Sequence, residues 1–158
     1  KYIARLFLRQ AAVYINNIPL AAKIDFLVKS QIFDGQPDPT VVVAHSLGTV
    51  VSYRLLAANP LKACNVPLFV TLGSPLSVAI VKPILPPNGA MPTPPITKWL
   101  NGRHKEDFVT LGRAVNKKSI GFSGVIDETD IVNNDDDKHS IRHYLASPKI
   151  ATAIHAAL

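Results

Sequence analysis

The chain has 158 residues, enough for one domain with a sizeable core. Hydrophobic residues make up 47% and charged residues 18%, a globular rather than a disordered balance, and no apolar run reaches the roughly 18 residues of a membrane helix. The formal charge of +6 is scattered, with Lys117-Lys118 the only adjacent basic pair, so it describes a basic surface and no nucleic-acid-binding motif.

From Lys1 to Asn16, apolar residues at Ile3, Leu6, Phe7, Ala11, Val13 and Tyr14 predict an amphipathic helix rather than a signal peptide. A second helix is expected from about Leu20 to Phe33, and neither stretch carries an obvious chemical group. The connector Asp34-Gly35-Gln36-Pro37-Asp38-Pro39 then breaks any helix. Val41 to Ala44 reads as a strand buried on both faces, as in a parallel sheet. Directly beyond Ser46, Leu47, Val50, Val51, Leu55 and Ala58 fall at helical spacing, and Asn59-Pro60 stops that helix. A second strand is expected at Val66–Leu72, closed by Gly73-Ser74-Pro75, with a short helix from Leu76 to Leu85. Prolines at 83, 86, 87, 92, 94 and 95 crowd the next loop, which either borders a substrate pocket or is a stiff surface connection. Ile96–Asn101 reads as a third strand, a fourth falls near Val125–Val132, and Ser140–Leu158 is helical with a break at Ser147-Pro148. Strands alternating with helices predict a parallel α/β sheet, with residues 1–158 as a single domain. The lone cysteine, Cys64, excludes an internal disulfide and suits a reducing compartment, so a cytoplasmic location is expected.

The stretch Ala44-His45-Ser46-Leu47-Gly48 carries the chemistry. A serine on a strand-turn-helix connection has the context of a nucleophile elbow. Such a turn is strained, and small residues at Ala44 and Gly48 are expected to let the strand and helix backbones approach. The Leu47 N–H, an unpaired donor of the first helical turn, can face a developing oxyanion.

A serine hydroxyl needs a general base, and the base needs an acidic group to orient it. On an elbow of this kind the partners follow in the order serine, acid, histidine. His45 adjoins the serine and is expected to point away from it, packing or lining a pocket; His104 precedes Asp107 and breaks the order. His143 and His155 lie in C-terminal helices, as surface histidines do, which leaves His139, in a loop after the last strand. For the acid, Asp107 follows the third strand, with Phe108-Val109 to anchor its loop. Asp127 and Asp130 are rivals that read better as solvated or strand-edge charge. Asp135, Asp136 and Asp137 beside His139 suggest a metal site at first sight, but consecutive side chains diverge, so a solvated acidic loop is expected and neither metal nor cofactor is implied.

Four stretches together resemble the C-terminal half of an α/β-hydrolase of the lipase/esterase kind: Val41–Val51, Thr71–Leu76, Trp99-Leu100-Asn101 with Asp107-Phe108-Val109, and His139-Ser140 with Tyr144-Leu145. The resemblance spans most of residues 40–158. It implies a three-layer parallel sheet in which only the strands from the elbow onward are present, making 1–158 a partial domain. It also implies Ser46 as nucleophile, Asp107 as acid and His139 as base, acting on a small-molecule or lipid ester. Ala44 stands where the family's first glycine usually does. Residues 1–39 hold no strands and no His-Gly segment for a second oxyanion donor, a loss on the order of 10²–10³ in rate if nothing replaces it. The missing half of the sheet would come from elsewhere in a longer chain or from a partner, self-association included. The alternative expectation is a catalytically impaired module that binds a partner through its open sheet edge.

Overall fold

The computed structural model describes residues 2–34, 39–57, 65–85 and 96–158. Asn59-Pro60, Cys64 and most of the proline-rich loop lie outside them. The described residues form an α/β fold around a parallel sheet of four strands, β1 (Val42–His45), β2 (Val66–Leu72), β3 (Ile96–Gly102) and β4 (Val125–Glu128), in the order β1-β2-β3-β4. In register, His45 pairs with Leu72, Leu72 with Gly102, and Gly102 with Glu128, so the carboxyl ends of the strands align along one rim. Helices flank them: α1 (Tyr2–Asn16), α2 (Ile18–Val28), α3 (Leu47–Ala57), α4 (Lys117–Ile120), α5 (Ile141–Leu145) and α6 (Pro148–His155).

The two faces of the sheet carry separate apolar clusters, which is what period-2 alternation produces. Phe69 and Trp99 pack with Tyr14, Ala21, Val50 and Tyr53 from α1, α2 and α3. On the opposite face Leu68, Val70, Leu72 and Leu100 pack with Tyr144 and Ile150 from α5 and α6. β2 is therefore buried on both sides. β1 is not: Val42 and Ala44 are buried but Val43 is 39% exposed, because β1 is the edge strand among the described residues and α5 and α6 sit over β2 and β3. This corrects the expectation of a strand buried on both faces.

Helix α3 is buried nearly all round, with Thr49, Val50, Val51, Ser52, Tyr53, Leu55 and Leu56 inside. Three polar groups fasten the N-terminal helices to it. Tyr14 Oη donates to Asp25 Oδ1 at 2.6 Å, Arg54 donates to Tyr14 Oη at 2.8 Å, and Arg54 pairs with Asp25 at 3.3 Å. Burial first, and then the Asp25 carboxylate, hold the Tyr14 phenol protonated far above its usual range.

Other expectations shift at the element ends. α2 starts at Ile18 because the Asn17 side chain accepts from Leu20 N–H and Pro19 sits in the first turn; after Val28 the helix widens into a π-helical turn at Lys29–Phe33. The segment after β2 forms two short 3₁₀ turns, Pro75–Ser77 and Ala79–Ile84, separated by extended Val78, rather than one helix. β4 ends at Glu128, short of Val132. Short α4, which no apolar period announced, is held by a capping box between Asn116 and Ser119. Among the described residues, no single helix is long and apolar enough to cross a membrane.

Candidate active site

The site lies where the carboxyl ends of β1, β2 and β3 turn away from the sheet. At the end of β1 the chain reverses through Ser46, whose φ of +56° is a left-handed conformation that L-residues avoid. Holding a serine there costs on the order of 1–3 kcal/mol, so the surroundings must over-determine it. They do: Ser46 N–H donates to Leu72 O at 3.0 Å, while its carbonyl accepts from Thr49 N–H at 3.0 Å and from Thr49 Oγ1 at 2.6 Å. Thr49 Oγ1 is itself 2.8 Å from Ser74 Oγ in the turn after β2. The serine side chain is thus projected from the strand end beside the first turn of α3. The Leu47 N–H, one of the donors that a helix start leaves without an intrahelical partner, adjoins it.

Ser46 Oγ is 2.8 Å from His139 Nε2, and His139 Nδ1 is 2.8 Å from Asp107 Oδ2. The carboxylate can only accept, so Nδ1 carries the proton and Nε2 is left to accept from the serine hydroxyl. Three groups from three loops, far apart in sequence, form one hydrogen-bonded line.

Asp107 is 1% exposed, and a buried charge must be compensated. Val109 N–H donates to Oδ1 at 2.8 Å, and Tyr144 Oη donates to Oδ2 at 2.6 Å alongside the His139 bond. Tyr144 also accepts from His104 N–H at 3.1 Å. Burial, and then the Asp107 charge, push the Tyr144 phenol far above its normal range, so it remains a donor.

His45 does not merely pack. Its Nε2 lies 2.9 Å from the carbonyl oxygen of His139, and the two rings are 4.5 Å apart. Because a carbonyl accepts, His45 donates, which fixes its Nε2–H. Burial first, and then the proximity of the His139 imidazole, lower the His45 pKa, so it is neutral and holds the backbone of the base. Phe108 and Phe7 complete the surroundings of the imidazole, with ring centroids 5.4 and 6.2 Å away. Phe7 comes from α1, a helix to which the sequence assigned no chemistry.

Gly48 gives a correction. A methyl group there would meet no described atom within 4 Å, so close approach of strand and helix does not require this glycine. The crowded position is Gly73, at the end of β2. Its φ is +53°, and a Cβ there would lie 2.9 Å from Asp107 Oδ2 and 3.0 Å from His139 Nδ1. Sequence reasoning missed its role; the available signal was a glycine closing the strand next to the elbow.

The rival acids have other partners. Asp127 is a strand-edge charge, on β4 at the end of the described sheet and only partly buried: it pairs with Arg103 Nε at 2.6 Å and accepts from Asn101 at 2.7 Å, closing a polar ladder that runs from Trp99 through Thr71 and Asn101 across the sheet. Asp130 is a surface charge paired with Lys149. In the acidic loop, Asp135 binds Arg142 and His143, each at 2.7 Å, and Asp137 Oδ1 accepts from His139 N–H at 3.2 Å. His143 is therefore only partly exposed, held against that aspartate. Among the described residues, no group of three His, Cys, Asp or Glu side chains is placed to hold a metal ion.

A neutral imidazole accepting from a serine hydroxyl, with its far nitrogen on a buried carboxylate, can remove the proton as the oxygen attacks an electrophilic carbon. No protein-family model, curated protein or solved structure matches this chain.

Proposed function

We propose that the chain is a serine hydrolase of the α/β-hydrolase, lipase/esterase-like kind, cleaving carboxylic esters through an acyl-enzyme. The observation that carries this reading is the Ser46–His139–Asp107 line, with 2.8 Å at each junction. Ser46 Oγ attacks the ester carbonyl while His139 Nε2 takes its proton, and the new C–O bond places negative charge on the carbonyl oxygen. The Leu47 N–H at the positive end of α3 stabilises that oxyanion. Collapse breaks the bond to the alcohol, which leaves with the proton from His139. Water then attacks the acyl-serine, again losing its proton to His139, and the acid departs as the proton returns to Ser46. Asp107 stays ionised throughout and stabilises the imidazolium.

Two features support the assignment of roles beyond the line itself. Besides the His139 bond, Asp107 accepts from Val109 N–H and Tyr144 Oη, which fixes the carboxylate for His139. The strained φ of Ser46 is a cost that the packing of an ordinary turn would not need. The test is a pre-steady-state assay with p-nitrophenyl acetate: a burst approaching one p-nitrophenol per chain is expected, absent in Ser46→Ala. Steady turnover with no burst and no dependence on Ser46 would overturn the acyl-enzyme.

A second reading, an impaired module that docks a partner on its sheet edge, rests on β1, which pairs only with β2 among the described residues and exposes Val43. Full esterase activity from a monomer in size-exclusion chromatography would exclude it.

A further inference from the structure

Helix α1 presents more apolar surface than the body of the protein covers. Phe7, Ala11 and Tyr14 form its buried stripe, at 8%, 0% and 1% exposure. The neighbouring stripe, Leu6, Gln10 and Val13, is left open, with Leu6 45% and Val13 43% exposed. Exposed apolar side chains gathered in one concavity mark a binding surface rather than ordinary surface scatter. The chain turns by 97° between α1 and α2, and the angle is held open by the Tyr14–Asp25–Arg54 cluster described above. In this angle lies a cleft of about 350 Å³, lined by Leu6, Gln10, Val13, Leu20, Ile24 and Leu47. Its volume sits at the low end of ligand sites, which run from about 300 to 1,000 Å³, and suits one slender ligand.

Leu47 is what ties the cleft to the chemistry. It directly follows Ser46, and its N–H is the donor assigned to the oxyanion. Its side chain lines the cleft and also packs into the small cluster of Phe7, Ala11, Val109 and Phe108. Phe7 and Phe108 are the two rings beside His139. Leu47 is therefore shared between the apolar cluster beside the base and the cleft in the angle of α1 and α2.

We infer that the α1–α2 cleft holds the acyl chain of the substrate, so that the ester cleaved carries an unbranched apolar acyl group of medium length. The inference rests on the hydrolase reading and adds the substrate class. Leu47 then positions both ends of the acyl group, its N–H at the carbonyl oxygen and its side chain along the hydrocarbon. Arg9 and Gln10, both exposed, complete the lining with polar ends facing water.

The test is a series of p-nitrophenyl esters from acetate to palmitate, assayed with wild type, Val13→Trp and Leu6→Trp. Both positions are nearly half exposed, so an indole there fills the cleft without entering the core. Wild type is expected to gain up to about fourfold in kcat/KM per added methylene and then level off once the cleft is full. Each variant should lose about tenfold or more on the octanoyl ester while retaining acetyl turnover. A flat profile in wild type, or equal losses on acetate and octanoate esters in both variants, would overturn the inference. A second arm separates it from the hydrolase reading. Octanoate is titrated calorimetrically into Ser46→Ala and into the same protein carrying Val13→Trp. Binding that Val13→Trp abolishes supports the cleft even if no ester is turned over, in which case hydrolysis alone falls. No octanoate binding to Ser46→Ala overturns the cleft whatever the kinetics show.

Discussion

Two adjacent strand ends turn with nearly the same backbone angle and carry opposite residues. β1 leaves the sheet through Ser46 at φ +56°, and β2 leaves through Gly73 at φ +53°. Both conformations favour glycine, so backbone geometry alone does not decide which turn has a side chain. Space and chemistry decide it. The β1 turn opens onto His139, where a hydroxyl finds an acceptor at 2.8 Å. The β2 turn faces the Asp107–His139 hydrogen bond itself, where a methyl would press on both partners from about 3 Å. One turn supplies a reacting atom at the cost of strain, and the other stays bare so that the atoms behind it can meet.

That contrast can be broken from either side. Ser46→Ala removes the reacting atom and should lower kcat by a factor on the order of 10⁴–10⁶ with little change in thermal stability, read by steady-state kinetics beside a melting curve. Gly73→Ala adds the obstructing methyl in a strained conformation. Displacing the Asp107–His139 pair by a fraction of an ångström to 1 Å should cost roughly 10²-fold in kcat, with Ser46 still in place. Retention of wild-type kcat would show that the β2 turn has room to yield. Tyr144→Phe leaves buried Asp107 one donor short, and chemical denaturation should report a loss of about 1–3 kcal/mol with a smaller effect on rate. Gly48→Ala is the counter-test within the elbow. With no described atom within 4 Å and a helical position to fill, it should be neutral or stabilising by up to about 1 kcal/mol, and activity should persist.

The pH dependence sharpens the same picture through His45. Its pKa is lowered by burial and by His139, so below pH 6.5 the unfolded chain binds a proton that the folded chain refuses. Stability contributed by neutral His45 is therefore full above 6.5 and is lost as the pH falls. His45→Gln keeps an N–H donor for the His139 carbonyl and cannot titrate. Its melting temperature should fall less steeply than that of wild type between pH 7 and 5.

The legible parts of this chain are those in which local pattern and function coincide. The apolar runs before Ser46 and at Val66–Leu72 place two strands, and helical spacing from Leu47 places α3. Ser46, Asp107 and His139 could be nominated because each sits at a strand end in chain order, and the structure brings all three together. What eluded sequence reasoning acts through space. Tyr144 looks like one more aromatic residue in a C-terminal helix until Asp107 is placed against it. His45 was expected to pack or line a pocket, and it also reaches the backbone of the base. Asp127 reads as a solvated or strand-edge charge and is the latter, but its ties to Asn101 and Arg103 are visible only in space. The one-sided burial of β1 depends on which helices cover the edge, and an apolar run does not encode that. Phe7 and the cleft beside it depend on where α1 docks: its apolar spacing marks the buried stripe, but not the partner against which that stripe packs.

The central claim is that Ser46 is an activated nucleophile, and a fluorophosphonate tests it most directly because it reacts only with such a serine. Intact mass spectrometry of the treated protein should show one adduct per chain, mapped to Ser46, absent in Ser46→Ala and strongly slowed in His139→Ala. A folded wild-type protein that takes up no adduct, or one labelled equally in all three proteins, would contradict the account.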